Sequence, residues 1–275
     1  MVAGVVGLGL MGGSLALELK ELDFVKKVVG YDKNEKHKKE ALELKLIEEA
    51  VDLDTIQKCD LIILAIPVEG IIETLKSFKN IKSDSTIIDL GSTKEKIVKS
   101  VPEKIRKNFV AAHPMTGTEK FGPKAAFKGL YKDKIVVVCD IEKSGEHQKN
   151  VAIRLFESIG MQIVYMEAAE HDRHAAYISH LPHAISYALA NSVLGQEDPK
   201  SILILAAGGF KDMSRLAKSS PKMWSDIFKQ NRENLLDSID SFKKELKIAE
   251  NLLKEENWEE LRKWMEKATT LHDIL

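Results

Sequence analysis

The residues best suited to chemistry lie at the ends of short apolar runs, and His113 is the first of them. It closes the run NFVAAH (108–113), which is typical of a buried strand. A histidine titrates near neutral pH, so this imidazole could accept the proton of an alcohol while the alcohol carbon is oxidised. Ser92 follows a second apolar run, STIIDLG (85–91), and could hold the imidazole. The alternative for His113 is a histidine that only caps its own loop.

The loop that begins at His113, HPMTGTEKFGP (113–123), contains further polar side chains. Thr116 and Thr118 are expected mainly to form ordinary loop hydrogen bonds. Glu119 could gate a site or simply be solvated, and the sequence favours neither interpretation.

A second candidate is SHLPHA (179–184), in which His180 and His183 flank Pro182 within an otherwise apolar helical run. Pro182 leaves the carbonyl of Ile178 without its helical donor and is expected to bend the helix. Helical spacing puts the two histidines on one polar face of the helix, and this face could be directed toward the first half of the chain. The other face, predicted to be the core face, consists of Ile178, Leu181, Ile185 and Leu189.

Two other interpretations of the histidine pair stay open. His180 and His183 could bind zinc, but no third ligand is suggested nearby, so we predict no metal. They could also be surface histidines without a role.

A third candidate is AAGGFKDMSRLA (206–217). Gly208 permits close backbone approach, and Asp212 is predicted to cap the helix that follows it. Arg215 is one of only six arginines against 35 lysines. Its guanidinium suits two-pronged capture of a carboxylate, and pairing with a neighbouring acid is the alternative. Trp224 is either a core residue or the wall of a pocket for a flat ring, with the core favoured.

The first residues of the chain predict a dinucleotide site. Gly7-Leu8-Gly9-Leu10-Met11-Gly12 follows the apolar run VAGVVG (2–7) and opens a helical pattern. Such glycines make the turn, admit a pyrophosphate and let helix and strand pack closely. Asp32 ends the next strand 20 residues after Gly12, where a carboxylate accepts ribose hydroxyls and repels a 2'-phosphate. NAD is therefore favoured over NADP, although Lys33 weakens that preference.

The elements that must position these residues fall into two groups. Strand and helix patterns alternate up to about residue 166, which predicts a Rossmann-type doubly wound parallel sheet. In such sheets ligands bind at the carboxyl ends of the strands, and this rule adds Pro67 and Ser92 to the cofactor residues. From about residue 167 the pattern is helix after helix. We expect an α/β chain with domains at 1–166 and 167–275, and a homodimer formed through the all-α part.

Bulk composition excludes several classes. The net charge of -1 gives no global field that would recruit nucleic acid or an anionic membrane. No window contains the roughly 20 apolar residues that a membrane helix needs. Only Cys59 and Cys139 occur, without disulfide or metal spacing, so a reducing cytoplasm is expected.

Taken in order, these motifs resemble the prephenate dehydrogenase family, which includes arogenate dehydrogenases. The resemblance rests on the glycine turn, GSTK (91–94), HPMTGTEKFGP, SHLPHA and GGFKDMSR (208–215), and it covers nearly the whole chain. It implies a nucleotide-binding domain followed by a helical dimerisation domain. It also implies NAD-dependent oxidation of prephenate to 4-hydroxyphenylpyruvate and carbon dioxide in tyrosine biosynthesis.

The resemblance also assigns roles to residues. It implies that His113 is the catalytic histidine and Ser92 its partner, and that Glu119 and Asp212 belong to a charge network controlling access. Trp224 would form a pocket wall. The substrate-binding set that we carry over is Ser179, His180, His183, Gly208, Arg215, Thr118, Glu119, Asp212 and Trp224, and the cofactor set is Gly7, Gly9, Leu10, Met11, Gly12, Asp32, Pro67 and Ser92.

Three other functions remain as alternatives. Arogenate differs from prephenate by an amino group in place of a keto group, and no residue decides between them. A β-hydroxyacid dehydrogenase would place a lysine in the stretch 171–191, which has none. An NAD-binding sensor without turnover is disfavoured by the combination of His113, Ser92 and Arg215.

Overall fold

The computed structural model describes residues 1–118 and 120–274. Within them eight strands form one sheet in the order β3-β2-β1-β4-β5-β6-β7-β8. The first six follow the order 3-2-1-4-5-6 expected for a dinucleotide-binding sheet. The strands are β1 (Val2–Val6), β2 (Lys27–Tyr31), β3 (Glu49–Ala50), β4 (Leu61–Leu64), β5 (Thr86–Asp89), β6 (Phe109–Pro114), β7 (Ile135–Cys139) and β8 (Gln162–Met166).

All neighbouring strands run parallel except β6 and β7, which pair antiparallel with His113 opposite Val137. A parallel neighbour needs a crossover, usually a helix. The connection 115–134 contains only a short 3₁₀ turn at Pro123–Ala125 among its described residues. The chain therefore returns directly along β6. The sheet is otherwise the doubly wound α/β sheet predicted from the sequence.

Helices cover both faces of the sheet. After β8 the described chain contains helices and no further strand. In chain order they are α1 (Leu10–Leu19), α2 (Glu35–Glu43), α3 (Leu53–Ile56), α4 (Val68–Ser77), α5 (Glu95–Ser100), α6 (Glu146–Ser158), α7 (Ala168–Ala175), α8 (Leu181–Leu194), α9 (Pro199–Ile204), α10 (Gly208–Ser214), α11 (Pro221–Gln230), α12 (Arg232–Lys254) and α13 (Trp258–Thr269).

Two apolar clusters sandwich the sheet, because residues of each central strand point alternately to its two faces. Val5, Ile63 and Val110 pack on one side. Val6 and Leu64 pack on the other. The strands are thus held rigidly, and the side chains at their carboxyl ends have fixed positions.

A π-helical turn, Ala176–His180, joins α7 to α8 without interruption. The N–H of Leu181 donates to the carbonyl of Ala176, five residues back. Pro182, which has no N–H to donate, then lies in the first turn of α8. The predicted bend at Pro182 therefore takes the form of a wider turn.

The predicted core face of this helix was wrong. Ile178 is 67% exposed, and Leu181, Ile185 and Leu189 are only half-buried. His180 is buried instead, at 1% exposure. The prediction assumed an unbroken 3.6-residue period, and the π turn inserts a residue that rotates the faces before and after it.

The prediction that Asp212 caps a helix was wrong, because α10 starts directly after the extended residue Ala207 and Asp212 lies inside it. Farther along the chain, Asn231 leaves the helical conformation and separates α11 from α12.

By its contacts the chain divides into two compact units, Met1–Asn231 and Arg232–Leu275. The first contains the sheet together with α7 to α11, and every residue of the candidate site belongs to it. In the second, α12 and α13 are joined by a hydrogen bond from Trp264 Nε1 to Glu245 Oε2 of 2.9 Å. Among the described residues, none of the helices is both long and apolar enough to span a membrane.

Candidate active site

The glycine turn after β1 has the shape a dinucleotide requires. Gly7 has φ +92°, and a Cβ there would lie 2.3 Å from the carbonyl oxygen of Ala65. A Cβ at Gly12 would lie 1.9 Å from the carbonyl oxygen of Gly7. At Gly9 the nearest atom would be the Gly122 nitrogen at 4.0 Å, so this side is open. The turn fits a pyrophosphate at Gly9, against the uncapped first turn of α1.

Asp32 joins the end of β2 to this turn. One carboxylate oxygen accepts the N–H of Leu8 at 2.9 Å, and the other accepts the N–H of Asn34 at 2.8 Å. His37 Nδ1 lies 3.4 Å from the first oxygen. A carboxylate has about four acceptor positions, so Asp32 keeps capacity for ribose hydroxyls.

His113 lies at the carboxyl end of β6, and its hydrogen-bond partner is not Ser92. Its Nδ1 lies 2.8 Å from Nε2 of His171, on α7. His171 Nδ1 lies 2.8 Å from Oδ1 of Asp172. His171 and Asp172 are 2% and 3% exposed, whereas His113 is half-buried. Three side chains thus form a line from the interior to the end of the sheet.

The carboxylate at the inner end of this line is firmly held. Asp172 Oδ1 also accepts the N–H of Lys94 at 2.7 Å, and Oδ2 accepts the N–H of Glu95 at 3.0 Å. The side chain of Lys94 is fully buried. Its ammonium donates to Asp89 and to the carbonyl of Ala112 at 2.7 Å. Because Ala112 precedes His113, Lys94 fastens both ends of the line.

Burial holds the pKa of His113 well below its ordinary value, and the nearby His171, Lys94 and His180 lower it further. A neighbour that carries a positive charge disfavours a second one in a poorly solvated place. The imidazole of His113 is therefore neutral at physiological pH and able to accept a proton.

His180 is the buried member of the helical pair. Its Nδ1 lies 3.1 Å from the side-chain nitrogen of Asn231, which also donates to the carbonyl of Asp172 at 2.6 Å. An amide nitrogen only donates, so Nδ1 accepts and Nε2 carries the proton. That Nε2 has no partner within the described part of the chain. Burial lowers the pKa of His180 to about 4.

His183 stacks on Trp224, with ring centroids 3.4 Å apart and planes at 21°. Its Nδ1 donates to the carbonyl of Ser179 at 2.9 Å, which leaves Nε2 as an acceptor. Burial lowers the pKa of His183, and the Arg215 guanidinium lowers it further. Trp224 is 6% exposed and faces both histidines, lying edge-on to His180 at 6.0 Å.

Arg215 begins a 3₁₀ turn, Arg215–Lys218, which hydrogen bonds fasten to α8. Ser186 Oγ accepts the N–H of Ala217 at 3.0 Å. The hydroxyl of Tyr187 donates to the carbonyl of Ser219 at 2.9 Å. Arg215 itself is exposed, and within residues 1–118 and 120–274 it has no ion-pair partner. A cation that lies close to His183 and has no carboxylate partner among the described residues is available to a ligand.

The comparisons with known proteins agree with this arrangement. Two family models match, "Prephenate dehydrogenase, nucleotide-binding domain" over residues 15–165 and "Prephenate dehydrogenase, dimerization domain" over residues 167–267. The prephenate dehydrogenase of Bacillus subtilis is 31% identical over 98% of this chain and 75% of its own length.

Two solved structures are also similar over nearly their whole length. One is the prephenate dehydrogenase of Aquifex aeolicus, solved with hydroxyphenyl propionate and NAD+, at 33% identity and a TM-score of 0.91 over 99% of this chain and 97% of the other. The other is the arogenate dehydrogenase of Synechocystis, at 27% identity and a TM-score of 0.80 over 99% of both chains.

The chain belongs to the prephenate dehydrogenase family. This confirms the family, the fold class and the NAD-dependent dehydrogenase class predicted from the sequence.

The structure brings only part of the predicted substrate set together. His113, His180, His183, Trp224 and Arg215 are linked through the contacts above. Ser179 contributes its carbonyl to His183. Thr118 is exposed and accepts the N–H of Lys120 at 3.2 Å, an ordinary loop bond.

Gly208 and Asp212 are exposed on α10, the helix that ends directly before Arg215. Glu119 lies outside the described residues. Ser92 follows β5 and is half-buried, and Pro67 caps α4 after β4. Both therefore lie at carboxyl ends of strands, as predicted.

The sequence did not predict a role in the site for four buried polar residues around His113: His171, Asp172, Asn231 and Lys94. One signal was available. His171 and Asp172 interrupt the start of a long helical pattern with two adjacent groups that are costly to bury. Which groups satisfy them depends on the packing of α7 against the sheet, which no local pattern reveals.

Proposed function

We propose that this chain oxidises and decarboxylates prephenate with NAD+, giving 4-hydroxyphenylpyruvate, carbon dioxide and NADH in tyrosine biosynthesis. The observation that carries the proposal is the imidazole of His113 at the end of β6, hydrogen-bonded to His171 and in one compact unit with the glycine turn and with Arg215. Membership of the prephenate dehydrogenase family supports the same reaction.

The cofactor would be held by residues that fit it. The amides of Leu10 and Met11 at the start of α1 suit the pyrophosphate beside Gly9, and Asp32 suits a ribose. Pro67 and Ser92 would line the nicotinamide half. Bound NAD+ supplies an acceptor for the hydrogen and electron pair that leave the ring carbon bearing the hydroxyl.

His113 would act on the hydroxyl proton. Nε2 accepts that proton as the alcohol becomes a ketone, and the carbon–carbon bond to the ring carboxylate then breaks to release carbon dioxide. Its electron pair completes the aromatic ring, and the phenolate oxygen takes the proton back from His113. No net proton is released, and the main task of the protein is alignment.

The substrate is a dianion, and the helical residues suit it. Arg215 offers two parallel donors to a carboxylate. The buried Nε2–H of His180 would complete its hydrogen bonding with a substrate oxygen, which satisfies a group that is otherwise costly. The ring of Trp224, backed by His183, gives an apolar wall for the flat ring.

A spectrophotometric assay tests the function. Purified protein is mixed with prephenate or arogenate, each with NAD+ or NADP+, and absorbance of the reduced nucleotide is followed with the carbon dioxide released. The proposal expects the highest kcat/KM for prephenate with NAD+. Preference for arogenate would place the chain with the Synechocystis relative, and absence of turnover in all four mixtures contradicts the proposal.

We also infer that the protein is a homodimer with a domain boundary at 166/167 and that it works in the cytoplasm. The family model over 167–267 describes a dimerization domain, and apolar side chains of α9 are exposed in the single chain. Cys59 and Cys139 are free and buried, which suits a reducing compartment.

A further inference from the structure

The line His113, His171, Asp172 contains two buried polar residues that bind neither substrate nor cofactor in the function proposed above. A buried imidazole and a buried carboxylate are retained at a cost unless each is fully hydrogen-bonded. Here every polar atom of the pair has a partner: His113 and Asp172 for His171, and His171, Lys94 and Glu95 for Asp172.

The direction of each hydrogen bond in the line follows from its inner end. An ionised carboxylate only accepts, so Nδ1 of His171 donates to Asp172. Nε2 of a neutral His171 is then an acceptor. It requires a donor at 2.8 Å, which is Nδ1–H of His113. The lone pair of neutral His113 therefore lies on Nε2, the other ring nitrogen.

Lys94 connects the two ends of the line, with its backbone at one end and its side chain at the other. Asp172 is bonded to the N–H of Lys94, and the ammonium of Lys94 is bonded to the carbonyl of Ala112, next to His113. A shift of α7 relative to β6 would break bonds at both ends. The geometry is thus that of a pre-organised site.

We propose that His171 and Asp172 are positioning residues, which fix His113 as the Nδ1–H tautomer and hold its Nε2 lone pair toward the substrate. In the transition state His113 gains a proton and becomes positively charged. The lone pair of His171 and the carboxylate behind it stabilise that charge more than the neutral ring, so the pair favours the transition state. This inference rests on the proposed role of His113 as base.

A matched pair of variants tests the inference. In His171→Gln the amide oxygen can accept from His113 and the amide nitrogen can donate to Asp172, whereas His171→Leu removes both bonds. We expect His171→Leu to lower kcat about 100-fold or more, with KM for prephenate and NAD within about threefold. His171→Gln should restore at least about tenfold of that loss. Equal loss in both variants, with equal thermal stability, contradicts the proposal.

A second variant addresses the carboxylate. In Asp172→Asn the amide nitrogen can donate to His171, which would reverse the tautomers of both histidines and place a proton on Nε2 of His113. The corresponding exchange in the Ser-His-Asp triad costs about 10⁴-fold in kcat for this reason. We expect a loss of about 10²- to 10⁴-fold, and a change below about threefold counts against the pair.

The tautomer can also be read without turnover, so variants that fail to fold do not decide the matter. Two-bond ¹H–¹⁵N spectra of the wild-type protein report which ring nitrogen carries the proton, and the signals of His113 are those lost in His113→Asn. The proposal expects the proton on Nδ1 at pH 8, and a proton on Nε2 overturns it. If the proton is on Nδ1 but His113→Asn still turns over, the positioning is correct and the assignment of His113 as base is wrong.

Discussion

His113 combines exposure to the substrate side with a buried hydrogen-bond partner, and this combination decides its chemistry. Burial, His171, Lys94 and His180 all hold its pKa below the ordinary 6.5. A base must be neutral before it accepts a proton, so a lowered pKa extends its working range toward acid. The cost is a weaker base, which suits a reaction driven forward by aromatisation.

The first prediction concerns pH. Because the pKa of His113 is lowered, kcat/KM should be constant above pH 6.5 and fall only as pH drops through a lower value, where the imidazole becomes protonated. Activity after return to pH 7.5 serves as the control for acid denaturation. A reversible acid limb at or above pH 6.5 would contradict the electrostatic picture.

The second prediction concerns Arg215. Charge-assisted hydrogen bonds contribute about 1.5–3 kcal/mol, so Arg215→Ala should raise KM for prephenate by roughly 10- to 100-fold. The KM for NAD should change little, and Arg215→Lys should lie between, because it keeps the charge but not the paired donors. Arg232→Ala is a matched control, since that arginine is exposed and already paired with Glu233. An equal rise in both Michaelis constants would make Arg215 structural.

At the scale of elements, the turn between β1 and α1 separates two roles of glycine. The Cβ of Gly12→Ala would collide with the backbone of Gly7, whereas that of Gly9→Ala would project into open space. The third prediction is that Gly9→Ala raises Kd for NAD at least about tenfold without lowering Tm, because only the pyrophosphate is obstructed.

Gly12→Ala is the companion variant and should lower Tm as well as NAD affinity, since fold and cofactor both need that close approach. Differential scanning fluorimetry and titration of protein fluorescence with NAD measure the two quantities. Unchanged NAD affinity in Gly9→Ala would mean that the cofactor does not lie over this turn.

The sequence predicted local features of this site better than contacts made across the fold. The positions of His113 and Ser92 followed from the predicted strand ends, and the dinucleotide-binding turn followed from the spacing of its glycines. Both are short-range patterns. The π turn before Pro182 could not be predicted from a periodicity that it breaks. His171, Asp172 and Lys94 were missed because the bonds that join them to one another and to β6 across the fold span 18 to 78 residues of the chain.

At the scale of the whole molecule, an apolar surface at the end of α9 is exposed among the described residues. Ile204 and Leu205 at the end of α9 are 82% and 83% exposed. Apolar patches of this kind mark interaction surfaces. A second copy of the chain would cover them, in accordance with the dimerization domain of the family.

The fourth prediction therefore concerns assembly. Ile204→Asp should convert a dimer to monomers at micromolar concentration, because a charge would be buried in an apolar contact. Lys200→Asp on the same helix adds negative charge without touching the apolar pair and should leave the dimer intact. Light scattering after size-exclusion chromatography measures the mass, and a dimer that persists in Ile204→Asp shows that this surface is not the interface.

The proposed reaction depends most on His113 as the group that takes the hydroxyl proton of the substrate. Its most direct test is kcat of His113→Asn at saturating prephenate and NAD, with Kd for NAD measured in parallel. We predict that kcat falls by about 10²- to 10⁴-fold, the usual contribution of a general base, while Kd for NAD stays within about twofold. Turnover close to that of the wild-type protein would contradict this role of His113, because the protein would then be oxidising its substrate without this imidazole.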